Sequence, residues 1–356
     1  MSALTPKPSI LEIAAYVGGE SSIPGIENPI KLSANESALG ASPKAIAAYK
    51  RVDLGRYPDG DATLLRNAIG KRFGLDPARI VCGAGSDDVI HLLALAYAGS
   101  GDEVIYNQHG FLLYPIAARS VGVTPITTPE KNLTADVDAF LAAVTPRTKI
   151  VFVANPNNPT GTLAPEADVI ELINNIPPHV LLVMDEAYIE FLGQPTDLLP
   201  LVRRGDFPNL ILMRTFSKIF GLAGLRLGYG IGHPEFIAAL EKVRQPFNIN
   251  SLAQAAAFAA LDDAEHLART RHTNGQGLEY LTLALRQMGL EFVPSHANFL
   301  LVRVGDSQHV FNALQKLGVI TRPMAGYQLP EWLRLSIGTA AENARALAAL
   351  RTVLGK

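Results

Sequence analysis

Six short runs dominated by apolar residues, each parted from the next by a stretch of helical or turn character, constrain this chain more than any other feature. They lie at 80–82, 103–106, 150–154, 180–184, 210–213 and 225–231, with candidate helices at 87–98, 135–143 and 166–173. A strand that is apolar along its whole length has to be covered on both faces, and alternating helices supply that cover. The spacing therefore predicts an α/β fold built on a mostly parallel sheet. The C-terminal part reads differently. Helical stretches at about 253–289 and 307–317 surround strands at 298–304 and 332–336, which predicts a smaller α+β domain with the N-terminal arm folded onto it. The expected division is 1–45 for the arm and its share of the small domain, 46–250 for the large domain, and 251–356 for the rest of the small one.

Several of the runs pass at once into polar or glycine-rich text: CGAGSDD, NPNNPTG, DEAY and TFSK. Ligands of open α/β sheets bind outside the carboxyl ends of the strands, so these segments should converge. Composition narrows what they could serve. With 31 Lys+Arg against 33 Asp+Glu the net charge is −2, which argues against a nucleic-acid surface. The single cysteine, Cys82, excludes an internal disulfide framework and suits a reducing compartment. The longest uncharged stretches, 92–101 and 251–261, are too short to cross a bilayer, and the start MSALTPKPSI has no secretory core. Cytoplasmic residence is the expectation, with neither membrane nor nucleic acid as partner.

Ser86 and Asp87 open a helix directly after a glycine-rich turn, where unpaired N–H groups suit a phosphate. Asp88 stands where a dinucleotide fingerprint needs its third glycine, so a single phosphate fits better. A tight turn with Ser86 or Asp87 as cap accounts for the segment equally well on its own. Asp185 ends the apolar run VLLVMD, and a buried carboxylate is costly unless paired. A helix cap would explain it, but a metal would not, because no ligand spacing accompanies it. Lys218 lies in an apolar, glycine-rich loop with Thr215 and Ser217 before it and Arg226 eight residues after. Desolvation lowers a lysine's pKa and makes it a usable nucleophile, whereas most loop lysines are solvated charges. Together an amine, a buried acid, a hydroxyl–arginine cup and an Asn/Tyr pair are the parts needed to hold pyridoxal 5'-phosphate.

On these residues the chain resembles the aspartate-aminotransferase-like superfamily of pyridoxal-phosphate enzymes, fold type I, and within it the histidinol-phosphate aminotransferase family. The likeness covers KLSANESALG (31–40), RYPDG (56–60), HGFLLYP (109–115), NNPTG (157–161), DEAY (185–188), TFSKIFGLAGLRLGY (215–229), QPFNINSLAQAAA (245–257) and LRLSIGT (333–339). Where that family usually has Asn-Pro, this chain has Ser37 and Ala38. The resemblance implies a seven-stranded sheet sandwiched by helices, plus the smaller α+β domain. It makes Lys218 the lysine that bonds the cofactor and shuttles the proton. Asp185 becomes the partner of the pyridine nitrogen, Asn158 and Tyr188 those of the phenolic oxygen, and Phe111 the ring that stacks on the cofactor. Ser86, Asp87, Thr215, Ser217 and Arg226 would hold the phosphate. Tyr57 would reach the neighbouring subunit's cofactor, implying a homodimer. Arg334 and Arg322 would clamp a substrate carboxylate or phosphate, with Tyr16 and Asn35 as further substrate contacts. The implied reaction is transamination between histidinol phosphate and 2-oxoglutarate, giving imidazole-acetol phosphate and glutamate in histidine biosynthesis. An aromatic amino acid aminotransferase or a decarboxylase of phosphorylated amino acids would keep the same cofactor residues. A cofactor-binding regulator would need an attached DNA-binding module, and no basic extension of that kind is present.

Overall fold

The structure is a computed structural model describing residues 4–356. Its centre is a sheet of seven strands: β1 (Ile80–Gly83), β2 (Glu103–Asn107), β3 (Thr124–Thr128), β4 (Thr148–Ala154), β5 (Leu181–Asp185), β6 (Leu210–Thr215) and β7 (Gly228–Ile231), in the spatial order β1-β7-β6-β5-β4-β2-β3. Only β7 runs against its neighbours; β2 to β6 pair in parallel. Alternate side chains feed two apolar layers. Ile105, Val151, Leu182 and Leu212 enter one, with the helices Thr63–Phe73, Glu166–Asn175 and Ser251–Leu261. Val104, Phe152, Val183 and Ile211 enter the other, with Ser86–Tyr97, Leu113–Ser120 and Pro234–Val243. This double cover is why the strands read as continuous apolar runs.

Three expectations need correction. The edge strand β3 was not anticipated: of its sequence TPITT only Thr128 is buried, and it carries Pro125, which an edge tolerates because no ladder donor is needed there. The strand expected at 225–231 starts only at Gly228, because Ala223–Leu225 forms a 3-10 turn and Arg226 adopts a left-handed φ of 55°. The stretch expected as one helix over 253–289 is two, Ser251–Leu261 and Ala264–Gln287, divided at Asp262 and Asp263, the latter capping His266 N–H.

A second core gathers at the other end of the chain around a four-stranded antiparallel sheet: Phe292–Val293, Phe299–Arg303, Leu329–Ser336 and Arg322–Met324 in spatial order. The N-terminal arm joins it through Ile30–Lys31, which pairs in parallel with Val319–Ile320. The long helix Ala264–Gln287 ties the two cores together, with Leu267 in the large core and Leu281, Ala284 and Leu285 in the small one.

Candidate active site

The carboxyl ends of β1, β2, β4, β5 and β6 open into one cavity of about 360 Å³. It brings together fourteen of the fifteen candidates: Ser86, Asp87, Phe111, Asn158, Asp185, Tyr188, Thr215, Ser217, Lys218 and Arg226 from the large domain, with Tyr16, Asn35, Arg322 and Arg334 from the arm and the small domain. Tyr57 lies elsewhere, 83% exposed, its ring stacked on Phe247 at 4.7 Å.

One wall is a cradle for an anion. Ser86 and Asp87 begin the helix Ser86–Tyr97, so their N–H groups lack intrahelical acceptors and sit at its positive end. Gly85 adopts φ +89°, and a Cβ there would stand 2.4 Å from Arg226 Nη2. A Cβ on Gly228 would stand 2.2 Å from the Ser86 nitrogen, so only glycine lets these groups approach. Arg226 donates through Nη1 to Ser217 Oγ at 3.4 Å and through Nη2 to Asp87 Oδ2 at 2.8 Å. Thr215 accepts the Ser217 N–H at 3.1 Å, which fixes the turn leading to Lys218.

Deeper in, Asp185 ends β5 and is 6% exposed. Tyr114 donates its hydroxyl to Oδ2 at 2.7 Å, and the Ala187 N–H donates to Oδ1 at 3.1 Å. Burial pushes the carboxyl up to about 6 against the pull of these two donors. No cation pairs with it among the described residues. Such a carboxylate is completed by a protonated ring nitrogen, so this part of the cavity fits a pyridinium cofactor. Phe111 lines the same space, edge-on to Tyr114 at 5.8 Å. Lys218 Nζ donates to the Ala34 carbonyl at 3.3 Å and lies 5.6 Å from the Tyr188 ring centre.

The opposite wall is cationic. Arg334, 7% exposed, donates to Asn158 Oδ1 and to the Ser33 carbonyl, the latter at 2.8 Å, and rests over Phe299. Burial lowers its pKa, a penalty that an incoming carboxylate or phosphate would relieve. Its Nε is buried without a partner. Arg322 donates to the Val17 carbonyl, and the half-exposed Tyr16 flanks it on the cavity rim.

Sequence reasoning missed three groups. Tyr114 donates to Asp185, Tyr327 lines the cavity from a turn of the small domain, and Ser336 binds Asn35. A fourth feature underlies the site. Glu186 and Arg214 form a buried ion pair at 2.7 Å, tying the residue after Asp185 to β6. Arg214→Leu strands the Glu186 carboxylate in the core and should cost about 3–5 kcal/mol, read as a lower denaturation midpoint in urea. Replacing both residues with apolar ones should recover most of that loss.

Comparison with known proteins identifies the family. The family model described as Aminotransferase class I and II matches residues 27–350. A histidinol-phosphate aminotransferase of Rhodospirillum centenum is 50% identical over 350 residues, covering 96% of this chain and 96% of the relative. Among solved structures, the Sinorhizobium meliloti histidinol-phosphate aminotransferase in complex with pyridoxal-5'-phosphate superposes with a TM-score of 0.88 at 28% identity, covering 99% of both chains. A double mutant of Thermus thermophilus aspartate aminotransferase superposes at 0.80 with 26% identity, covering 92% of each. The fold is aspartate-aminotransferase-like, and the chain belongs to the class I and II aminotransferases.

Proposed function

We propose that this protein catalyses the pyridoxal-phosphate-dependent transamination of L-histidinol phosphate with 2-oxoglutarate, giving imidazole-acetol phosphate and glutamate in histidine biosynthesis. The observation that carries the reading is the buried, cation-free Asp185 in one cavity with Lys218, an anion cradle and, opposite, two arginines. The substrate rests on the relatives' names and on that arginine pair.

In this proposal the Ser86 and Asp87 N–H groups, Thr215, Ser217 and Arg226 hold the cofactor phosphate. Phe111 stacks on its ring, Asn158 and Tyr188 bind its phenolic oxygen, and Lys218 bonds it. When bound, the cofactor supplies an electron sink for the charge left on the substrate Cα. Lys218, once freed, takes the proton from Cα and returns it on the product side. Asp185 holds the proton on the ring nitrogen. Arg334 takes the substrate anion with its planar fork. Its Nε–H, buried without a partner, and the second hydrogens on its two Nη atoms are free donors, so it can take that anion while keeping its contacts to Asn158 and Ser33. Arg322 and Tyr16 complete the anion site.

We further propose a homodimer in which Tyr57 crosses to the other subunit's cofactor phosphate. The exposed Tyr57–Phe247 stack supports this. The large domain of this reading keeps 46–250 and adds the helix Ser251–Leu261, whose Ala253, Ala256, Ala257 and Ala260 lie in the large core. The remainder of the C-terminal part forms the small domain with the arm. We assign the enzyme to the cytoplasm, in keeping with the buried free thiol of Cys82. No helix among the described residues is long and apolar enough to cross a membrane.

The test compares histidinol phosphate, phenylalanine and tyrosine as donors to 2-oxoglutarate. Histidinol phosphate should have the highest kcat/KM, and a higher value for phenylalanine would sink the histidine-pathway reading. Arg322→Ala should raise KM for histidinol phosphate by roughly 10- to 100-fold, the worth of a charge-assisted hydrogen bond, and leave phenylalanine nearly unaffected.

A further inference from the structure

Asn35 is 1% exposed, and its side-chain amide is occupied at both ends. Its backbone N–H donates to Ser336 Oγ at 2.9 Å, and Ser336 Oγ lies 3.0 Å from Asn35 Oδ1. Asn35 Nδ2 lies 2.9 Å from the Tyr188 hydroxyl. Two observations fix the direction of the links. A backbone N–H can only donate, so Ser336 Oγ accepts there, and among the described residues the one acceptor within reach of its own hydrogen is the Asn35 amide atom facing it. That atom must be the oxygen, which turns the NH₂ toward Tyr188. Tyr188 Oη accepts from it, and the phenol's hydrogen is left to point elsewhere. Among the described residues no protein group accepts that hydrogen, and Tyr188 lines the cavity.

We infer that Ser336 and Asn35 are positioning residues that set the polarity of Tyr188, making its hydroxyl a committed donor into the cavity. The inference rests on the pyridoxal-phosphate reading above, in which the group receiving that donation is the cofactor's phenolic oxygen. It also changes the part of Asn35, whose amide is no longer free for a substrate. The backbone around it is held for this purpose. Asn35 adopts a left-handed φ of 55°, which asparagine tolerates better than most residues, and Asn298 Nδ2 grips its carbonyl at 3.0 Å. Ser336 lies two residues beyond Arg334 on the same strand, so the strand that carries the anion clamp also carries the origin of this chain of donors.

The experiment is a pH titration of the visible cofactor band in the reconstituted holoprotein. A donor to the phenolic oxygen draws charge from it, so weakening the donor leaves the oxygen more basic and moves the midpoint up. Ser336→Ala removes the preference between the two amide orientations. It should raise the midpoint by about half a pH unit, threefold in the proton equilibrium, and should not move it in a Tyr188→Phe background. Asn35→Ser keeps a hydroxyl for Ser336 but cannot reach Tyr188. It serves as the second variant with the same expectation should Ser336→Ala fail to hold the cofactor. A Ser336→Ala midpoint that is unchanged, or that shifts equally with and without the Tyr188 hydroxyl, overturns the inference. A wild-type protein that develops no band with pyridoxal phosphate overturns the cofactor reading itself, so the two failures are distinguishable.

Discussion

Lys218→Ala should lower kcat/KM for transamination by on the order of 10⁴-fold, the upper range for loss of a positioned proton-transfer group, and should purify without the band of the covalently held cofactor. The size follows from geometry. Nζ projects into the cavity beside the Tyr188 ring, and its one protein acceptor is the Ala34 carbonyl at 3.3 Å, a contact a substrate can displace. Among the described residues no other lysine lines the cavity to take over the proton. A small primary amine added to the variant should restore part of the rate, increasingly so with the amine's basicity, whereas a merely structural lysine would give no such rescue. Recovery of the band on adding cofactor alone would contradict the assignment of this lysine.

Asp185→Asn should cost on the order of 10³-fold in kcat/KM, as for other single electrostatic groups in water-excluded sites, and should weaken cofactor retention. The cofactor-free protein should show the opposite sign in stability. The carboxyl sits at about 6 in the fold against 3.8 in a model peptide, with burial as the main cause. An acid raised in this way costs nothing below pH 3.8, where both states are protonated. As pH rises from 3.8 to 6 the unfolded chain ionises first and stability falls; above 6 the penalty is constant. Above pH 6 the cofactor-free Asp185→Asn variant should therefore be more stable than the parent by about 1–2 kcal/mol, the benefit being trimmed because the amide replaces one of two acceptors used by Tyr114 and Ala187. Near pH 3.5 the sign should reverse, the variant being less stable by about 1 kcal/mol, because the amide's missing acceptor still counts once the charge penalty of about 3 kcal/mol is gone. A melting series at pH 3.5, 5 and 8, with and without pyridoxal phosphate, reads both signs. Equal destabilisation at every pH would show that Asp185 is not held against its charge.

The central sheet was legible because burial on both faces leaves little room for polar residues in β1, β2, β4, β5 and β6. The edge strand β3 escaped notice for the complementary reason, since half of it faces solvent. Lys218, Asp185 and the Ser86–Asp87 turn stood out as polar residues in apolar text at strand ends. Tyr114 did not, because its partner is 71 residues away and nothing local marks a buried phenol as a donor to a carboxylate. Ser336 was hidden more thoroughly: it reads as an ordinary strand residue, and its meaning depends on Asn35, 301 residues earlier. Tyr57 is a third kind of case. Its exposure is visible in a single chain, but its part in the proposed dimer depends on a second one.

The pairing of Ile30–Lys31 with Val319–Ile320 has a consequence for how the molecule is made. The arm leaves the ribosome long before the strand it pairs with has been synthesised. Closing a flexible loop that long costs about 3 kcal/mol more than closing a ten-residue one, so the large sheet, folding in between, has to shorten the gap before the arm can dock. The lysine, the acid and the anion cradle are all synthesised by Arg226, well before Arg334 and Ser336 emerge. A nascent chain can thus possess the cofactor-facing half of its site while lacking the clamp, and it becomes a complete catalyst only when its two ends meet.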